Sequence, residues 1–154
     1  MVAIALTLGG GLLLLNRADA QMRDTTRKHH LQDIEQSLYF AKGLHGTFPP
    51  YAEPTWCGLL SNPVNRPVRD QIEAALRQQN NTYANPEKTF PRDPLPEYDY
   101  FYWKRSPATF ELYAMLEQDN NNERNSLGCP TASDIYYDYG LNSHWRRNMS
   151  FLKS

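Results

Sequence analysis

The residues of this 154-residue chain best suited to chemistry are four histidines, two cysteines and one run of alternating oxygen ligands. His29 and His30 are adjacent, so on a helix they point to different faces, and His45 and His144 have no partner at zinc-ligand spacing. Asp119, Asn121 and Glu123 alternate side-chain oxygens in a loop, as hard-cation sites do. They lack the loop glycine and terminal bidentate glutamate of an EF-hand, and a solvated polar loop is the competing reading. Cys57 and Cys129 each sit beside glycine or proline. The apolar start of the chain implies export, where an even cysteine count reads as one disulfide, Cys57–Cys129, and two free thiols are the competing reading. A nucleophile elbow, a phosphate loop, a catalytic triad and a catalytic carboxylate pair are all missing from the sequence, which points away from an enzyme.

The elements that would position these groups begin with fifteen uncharged, mostly apolar residues, Met1 to Leu15, that run into a charged amphipathic stretch, Asn16 to Lys42, with no turn signal between them. As a helix, the first segment covers roughly 22 Å, less than the ~30 Å of a bilayer core. A secretory signal cleaved near Ala18-Asp19-Ala20 would ordinarily start with a basic region, and Met1-Val2-Ala3-Ile4 does not. Leu31, Ile34, Leu38 and Ala41 recur at three-and-four spacing, while Gln32, Asp33, Glu35 and Gln36 fill the other positions, the pattern of a helix with one apolar face against a globular partner. Gly43 is the expected stop, and Gly46 with Pro49-Pro50 prevents resumption. The expected architecture is α+β: a stalk helix over residues 1–42, apolar over 1–15, and a head over 43–154 packed on its second half. In the apolar part, Val2, Ile4, Leu6, Leu8 and Leu12 to Leu15 (Leu12, Leu13, Leu14, Leu15) would meet lipid or other helices. Gly9, Gly10 and Gly11 are either a local melt or a stripe of close helix approach.

The stretch Arg23-Asp24-Thr25-Thr26-Arg27-Lys28-His29-His30-Leu31-Gln32-Asp33-Ile34-Glu35-Gln36-Ser37-Leu38, followed by Gly46-Thr47-Phe48-Pro49, resembles the stalk-to-head signature of bacterial type IV pilins and type II secretion pseudopilins. Phe90-Pro91-Arg92-Asp93-Pro94, the aromatic run Tyr98 to Trp103, and Phe110 to Glu117 resemble the proline-aspartate-proline loop and hairpin of the same family. The resemblance covers Met1 to Glu117. Mature members open with a phenylalanine-like residue and a nearby glutamate, and neither precedes Arg17. Aligning the arginine-lysine-leucine region places Met1 about nine residues inside such a start, and restoring those residues would give ~36 Å of helix, enough to span. The sequence is therefore expected to begin partway down the stalk.

The resemblance implies a filament subunit with no cofactor. Its partners would be copies of itself, other pilins and the assembly machinery, with the inner membrane as its site before assembly and the extracellular filament as its destination. For a pilus it implies adhesion, motility or DNA uptake, and for a pseudopilus it implies secretion. It also implies a calcium ion as the cation that Asp119, Asn121 and Glu123 would hold. A membrane-anchored or secreted binding protein that never polymerises is the alternative from another class.

With 16 basic and 17 acidic side chains the net charge is -1, so no overall electrostatic footprint favours direct nucleic-acid binding. Arg23, Arg27, Lys28, His29 and His30 cluster, and read as an interfacial anchor and a set of helix-to-helix ion pairs. Within the head, Pro67 to Leu76 reads as a short helix burying Val68, Ile72, Ala75 and Leu76. Tyr98 to Trp103 reads as a strand packed on both faces, and one face should meet the stalk. Lys104 to Ala108 reads as a hairpin loop, and Phe110 to Glu117 as an alternating strand. A third strand is expected at Ile135 to Tyr139, followed by a polar tail with Trp145 and Phe151. Ten tyrosines fit half-buried sheet positions. Asn80-Asn81-Thr82 and Asn148-Met149-Ser150 match the glycosylation acceptor pattern.

Overall fold

The computed structural model describes residues 2–81, 89–118, 129 and 139–142. Its architecture is α+β, a long N-terminal helix against a small antiparallel sheet. Helix α1 (Val2–His45) contains 44 residues, about 66 Å at the standard rise. It runs through Gly9, Gly10 and Gly11 without interruption. Its end also differs from expectation. Gly43 lies inside the helix, and termination comes at Gly46, whose φ of 75° no side-chain-bearing residue adopts cheaply. The Gly46 N–H closes the last turn on the Lys42 carbonyl at 2.8 Å.

The buried positions of α1 include Ala20, Asp24, Arg27, Leu31, Ile34, Leu38 and Ala41. Spacings of four and three alternate throughout, which places these residues in one straight seam along the helix. Leu31, Ile34, Leu38 and Ala41 are fully buried. Glu35, which the pattern assigned to the polar side, is buried as well.

The head supplies a four-stranded antiparallel sheet in sequence order: β1 (Trp56–Leu59), β2 (Tyr100–Ser106), β3 (Thr109–Ala114) and β4 (Tyr139–Asn142). β2 pairs with β3 in the register Tyr102 to Leu112 and Lys104 to Phe110. Alternation then sorts the faces. Tyr100, Tyr102, Phe110, Leu112 and Ala114 join Leu31, Ile34, Leu38 and Phe48 in the main core. Phe101, Tyr113 and Cys129 form a second cluster with Cys57, Leu59 and Trp103 beside it. Each large apolar side chain fully withdrawn from water contributes about 1.5–3 kcal/mol, so the main core dominates the head's cohesion.

Helix α2 (Arg66–Asn81) is longer than the expected Pro67 to Leu76 and packs on α1 through a face that includes Val68 and Ile72. β1 had no counterpart in the sequence reading. β2 extends through Lys104, Arg105 and Ser106, which were expected in the turn. β4 overlaps the expected third strand only at Tyr139, and residues 135–138 lie outside the described set. Gly140 pairs with Tyr113, and a Cβ there would collide with the Tyr113 ring.

Lys104 explains why its segment is strand. Its side chain is buried, and its Nζ donates to the carbonyls of Pro50 at 2.8 Å and Glu53 at 2.5 Å. The Tyr102 hydroxyl donates to the Pro49 carbonyl at 2.6 Å. The loop after α1 is thus bolted to the inner face of β2. Burial pushes the Lys104 ammonium below its ordinary pKa, with the Glu53 charge opposing, and pushes the Tyr102 phenol well up.

Candidate functional site

Below Leu31 the seam of α1 changes chemistry. Arg27 is completely buried, and its guanidinium meets three carboxylates. Nε and Nη2 donate to the two oxygens of Asp93 at 2.8 and 2.9 Å, the bidentate geometry that a planar guanidinium favours. Nη1 donates to Asp24 at 2.8 Å, one helical turn back, and to Glu117 at 2.7 Å, just beyond β3. Arg23 reaches the same Glu117 through Nε at 2.8 Å and Nη2 at 2.6 Å.

Two guanidinium groups therefore face three carboxylates, one negative charge in excess. Backbone donors offset it. Asp24 accepts from the N–H of Glu117 at 2.9 and 3.1 Å and of Gln118 at 2.9 Å, and Asp93 accepts from Leu95 N–H at 2.9 Å. The Tyr98 ring covers the guanidinium with its centroid 4.5 Å from Cζ. Three converging carboxylates would suit a metal ion, but here their counter-ion is Arg27. Among the described residues no group of three or more His, Cys, Asp or Glu side chains is arranged to hold a metal.

Burial lowers the Arg27 pKa, yet the hydrogen bonds it donates to Asp93 and Glu117 outweigh that and raise the pKa above its ordinary value. The Arg23 hydrogen bond, helped by Arg27 and opposed by burial, pulls the Glu117 carboxyl down to about 2. Neighbouring His30 places Nδ1 2.7 Å from the Tyr100 hydroxyl, and burial and the Asp93 charge raise the Tyr100 pKa. The cluster is a clamp. It joins α1 to the loop carrying Asp93 and to the segment after β3 by short, directional, charge-assisted bonds.

Arg23 and Arg27 were expected to pair with neighbouring helices or to anchor at an interface, and instead they pair inside their own head. The signal that could have found them is the seam itself, because Asp24 and Arg27 continue the spacing of Leu31, Ile34, Leu38 and Ala41. N-terminal to the clamp, the helix leaves the head. Leu15 to Asp19 are all exposed, Leu15 to 64 %. Met22, seven residues on and so on the same side, is equally bare at 64 %. Val2, Ile4, Leu6, Leu8, Leu12, Leu13 and Leu14 lie on the helical backbone beyond. No helix among the described residues is long and apolar enough to cross a membrane.

Cys57 and Cys129 form a disulfide, tying edge strand β1 to the C-terminal part of the head. Asp119, Asn121 and Glu123 lie outside the described residues, as do Thr82, Trp145, Asn148 and Phe151. An open depression of about 900 Å³ lies between α2 and the loop before β2. Its rim carries Arg69 and Arg92 against Glu73 and Asp99, so it presents no single sign of charge to a ligand. Compared with known protein families, curated proteins and solved structures, the chain matches none.

Proposed function

We propose that this chain is a structural subunit of a bacterial type IV pilus, polymerising through its N-terminal helix into an extracellular filament for adhesion, motility or DNA uptake. The asymmetry of α1 carries this reading. The head holds the helix from Ala20 to Ala41, while Leu15 to Asp19 are exposed and the apolar run before them continues the same helix. An apolar rod outside its own head gains by packing against lipid or other rods, and copies of itself offer matching ridges and grooves. Before assembly the rod sits in the inner membrane, and on assembly it moves into the filament interior with the heads outside. The disulfide suits an exported head.

A pseudopilin of a secretion system shares the stalk-and-head logic and differs in serving secretion. Electron microscopy of native material purified from the producing cell tests both. Thin fibres of uniform width composed of this polypeptide support the filament reading, and long surface fibres favour the pilus. A polypeptide that stays monomeric at every concentration and in every detergent tried overturns it in favour of a singly anchored binding protein.

A further inference from the structure

Resting on that filament reading, we infer that the Arg23–Asp24–Arg27 clamp with Asp93 and Glu117 is the positioning device that aims the stalk, and that it thereby sets the register between neighbouring subunits. The clamp occupies the place where the helix leaves the head. Toward the C-terminus, α1 is embedded among apolar side chains. Toward the N-terminus, exposure begins at Asp19 and persists through Leu15.

From Arg23 to Val2 the helix extends ~30 Å, so a tilt of about 10° at the clamp moves its far end by ~5 Å. That is about half the 8–10 Å that separates packed helices, enough to move ridges out of their grooves. Apolar burial is non-directional and would tolerate such a tilt, whereas a bidentate guanidinium pair would not. Three separate parts of the chain are bonded at this point, namely the helix, the Asp93 loop and the segment after β3. Contacts from two head segments fix a direction, which a single contact could not. Arg23 and Arg27 are therefore positioning residues, with no need to touch a neighbouring subunit.

Glu117→Gln is the informative variant, because it removes one carboxylate shared by both arginines and leaves Asp24 and Asp93 to balance them. Two readouts on the full chain decide the matter. In detergent-solubilised monomer, spin labels at Ala18→Cys on the stalk and Ala74→Cys on α2 report the stalk direction as a distance distribution. In filaments, image reconstruction reports helical rise and twist. The expected result for Glu117→Gln is a distance distribution broadened by several Å and a lattice with shifted or heterogeneous twist, with Arg77→Gln on α2 leaving both unchanged. Wild-type distances in the variant monomer, or a wild-type lattice in variant filaments, would overturn the inference. If wild-type protein forms no filament at all, the filament reading fails, and the monomer distances still decide whether the clamp aims the helix. Should Glu117→Gln fail to fold, Arg23→Gln replaces it, since Arg23 is partly exposed and lies at the outer edge of the cluster.

Discussion

The two ends of the α1 seam are buried alike and held by opposite physics. From Leu31 to Ala41 the helix meets Phe48, Tyr102, Phe110 and Leu112 through apolar surface. From Asp24 to Arg27 it meets the head through ions. Removing apolar area from water stabilises in proportion to that area and with little regard to direction. Burying ions costs desolvation that good geometry only offsets, so the ionic end contributes definition of angle more than net stability. One helix thus obtains its adhesion from one half of its seam and its aim from the other.

Breaking the ionic half one-sidedly should produce the largest effect. Arg27→Ala leaves Asp93, Asp24 and Glu117 facing one another without their shared cation, and the expected loss is about 3–5 kcal/mol. Denaturant unfolding followed by tryptophan fluorescence measures it, and a loss below that of any apolar truncation would reverse the ranking proposed here. In the apolar half, Leu38→Ala should cost about 2–5 kcal/mol by lost transfer energy and the cavity it leaves. The same assay applies, with stalk direction expected to be unchanged.

Acid sharpens the comparison further. The Glu117 carboxyl sits at about 2 in the folded chain against an ordinary 4.5. Its contribution is therefore complete above pH ~4.5 and is lost as pH falls toward 2. Asp99 works the other way, since burial, opposed by Ser61 hydrogen bonds, raises its pKa above the ordinary value. The larger Glu117 displacement should dominate, so stability is expected to fall between pH 4.5 and 2. Glu117→Gln should flatten that fall in an unfolding series taken across this range. The smallest effect belongs to the exposed Arg77–Glu73 pair on α2. Arg77→Ala should change stability by less than about 1 kcal/mol, with the difference shrinking in high salt.

Much of the fold was legible because hydrophobic period reports burial directly. The Leu31, Ile34, Leu38 and Ala41 spacing, the apolar face of α2 and the alternation of Phe110, Leu112 and Ala114 all appear in the sequence. The clamp's partners were not legible: the seam spacing marks Asp24 and Arg27 as buried positions, but a run with Arg23, Asp24, Arg27 and Lys28 reads as an interfacial anchor with helix-to-helix ion pairs unless partners 66 to 94 residues away are known. Glu117 and Asp93 are those partners, and no local rule links them to Arg27. Lys104 misled for the same reason. A lysine beside Arg105, Ser106 and Pro107 has the composition of a turn, and only the carbonyls of Pro50 and Glu53 make it an interior residue. β1 escaped notice because four residues containing a cysteine and a glycine carry too little period to register.

The Cys57–Cys129 bridge, its ends 72 positions apart in sequence, makes a covalent ring that encloses α2, β2 and β3. One protease cut anywhere inside that ring leaves a single connected molecule until a reductant is added. The protein can therefore be nicked between those cysteines without shedding a fragment, and its long helix stays attached to every strand of the sheet that the ring contains.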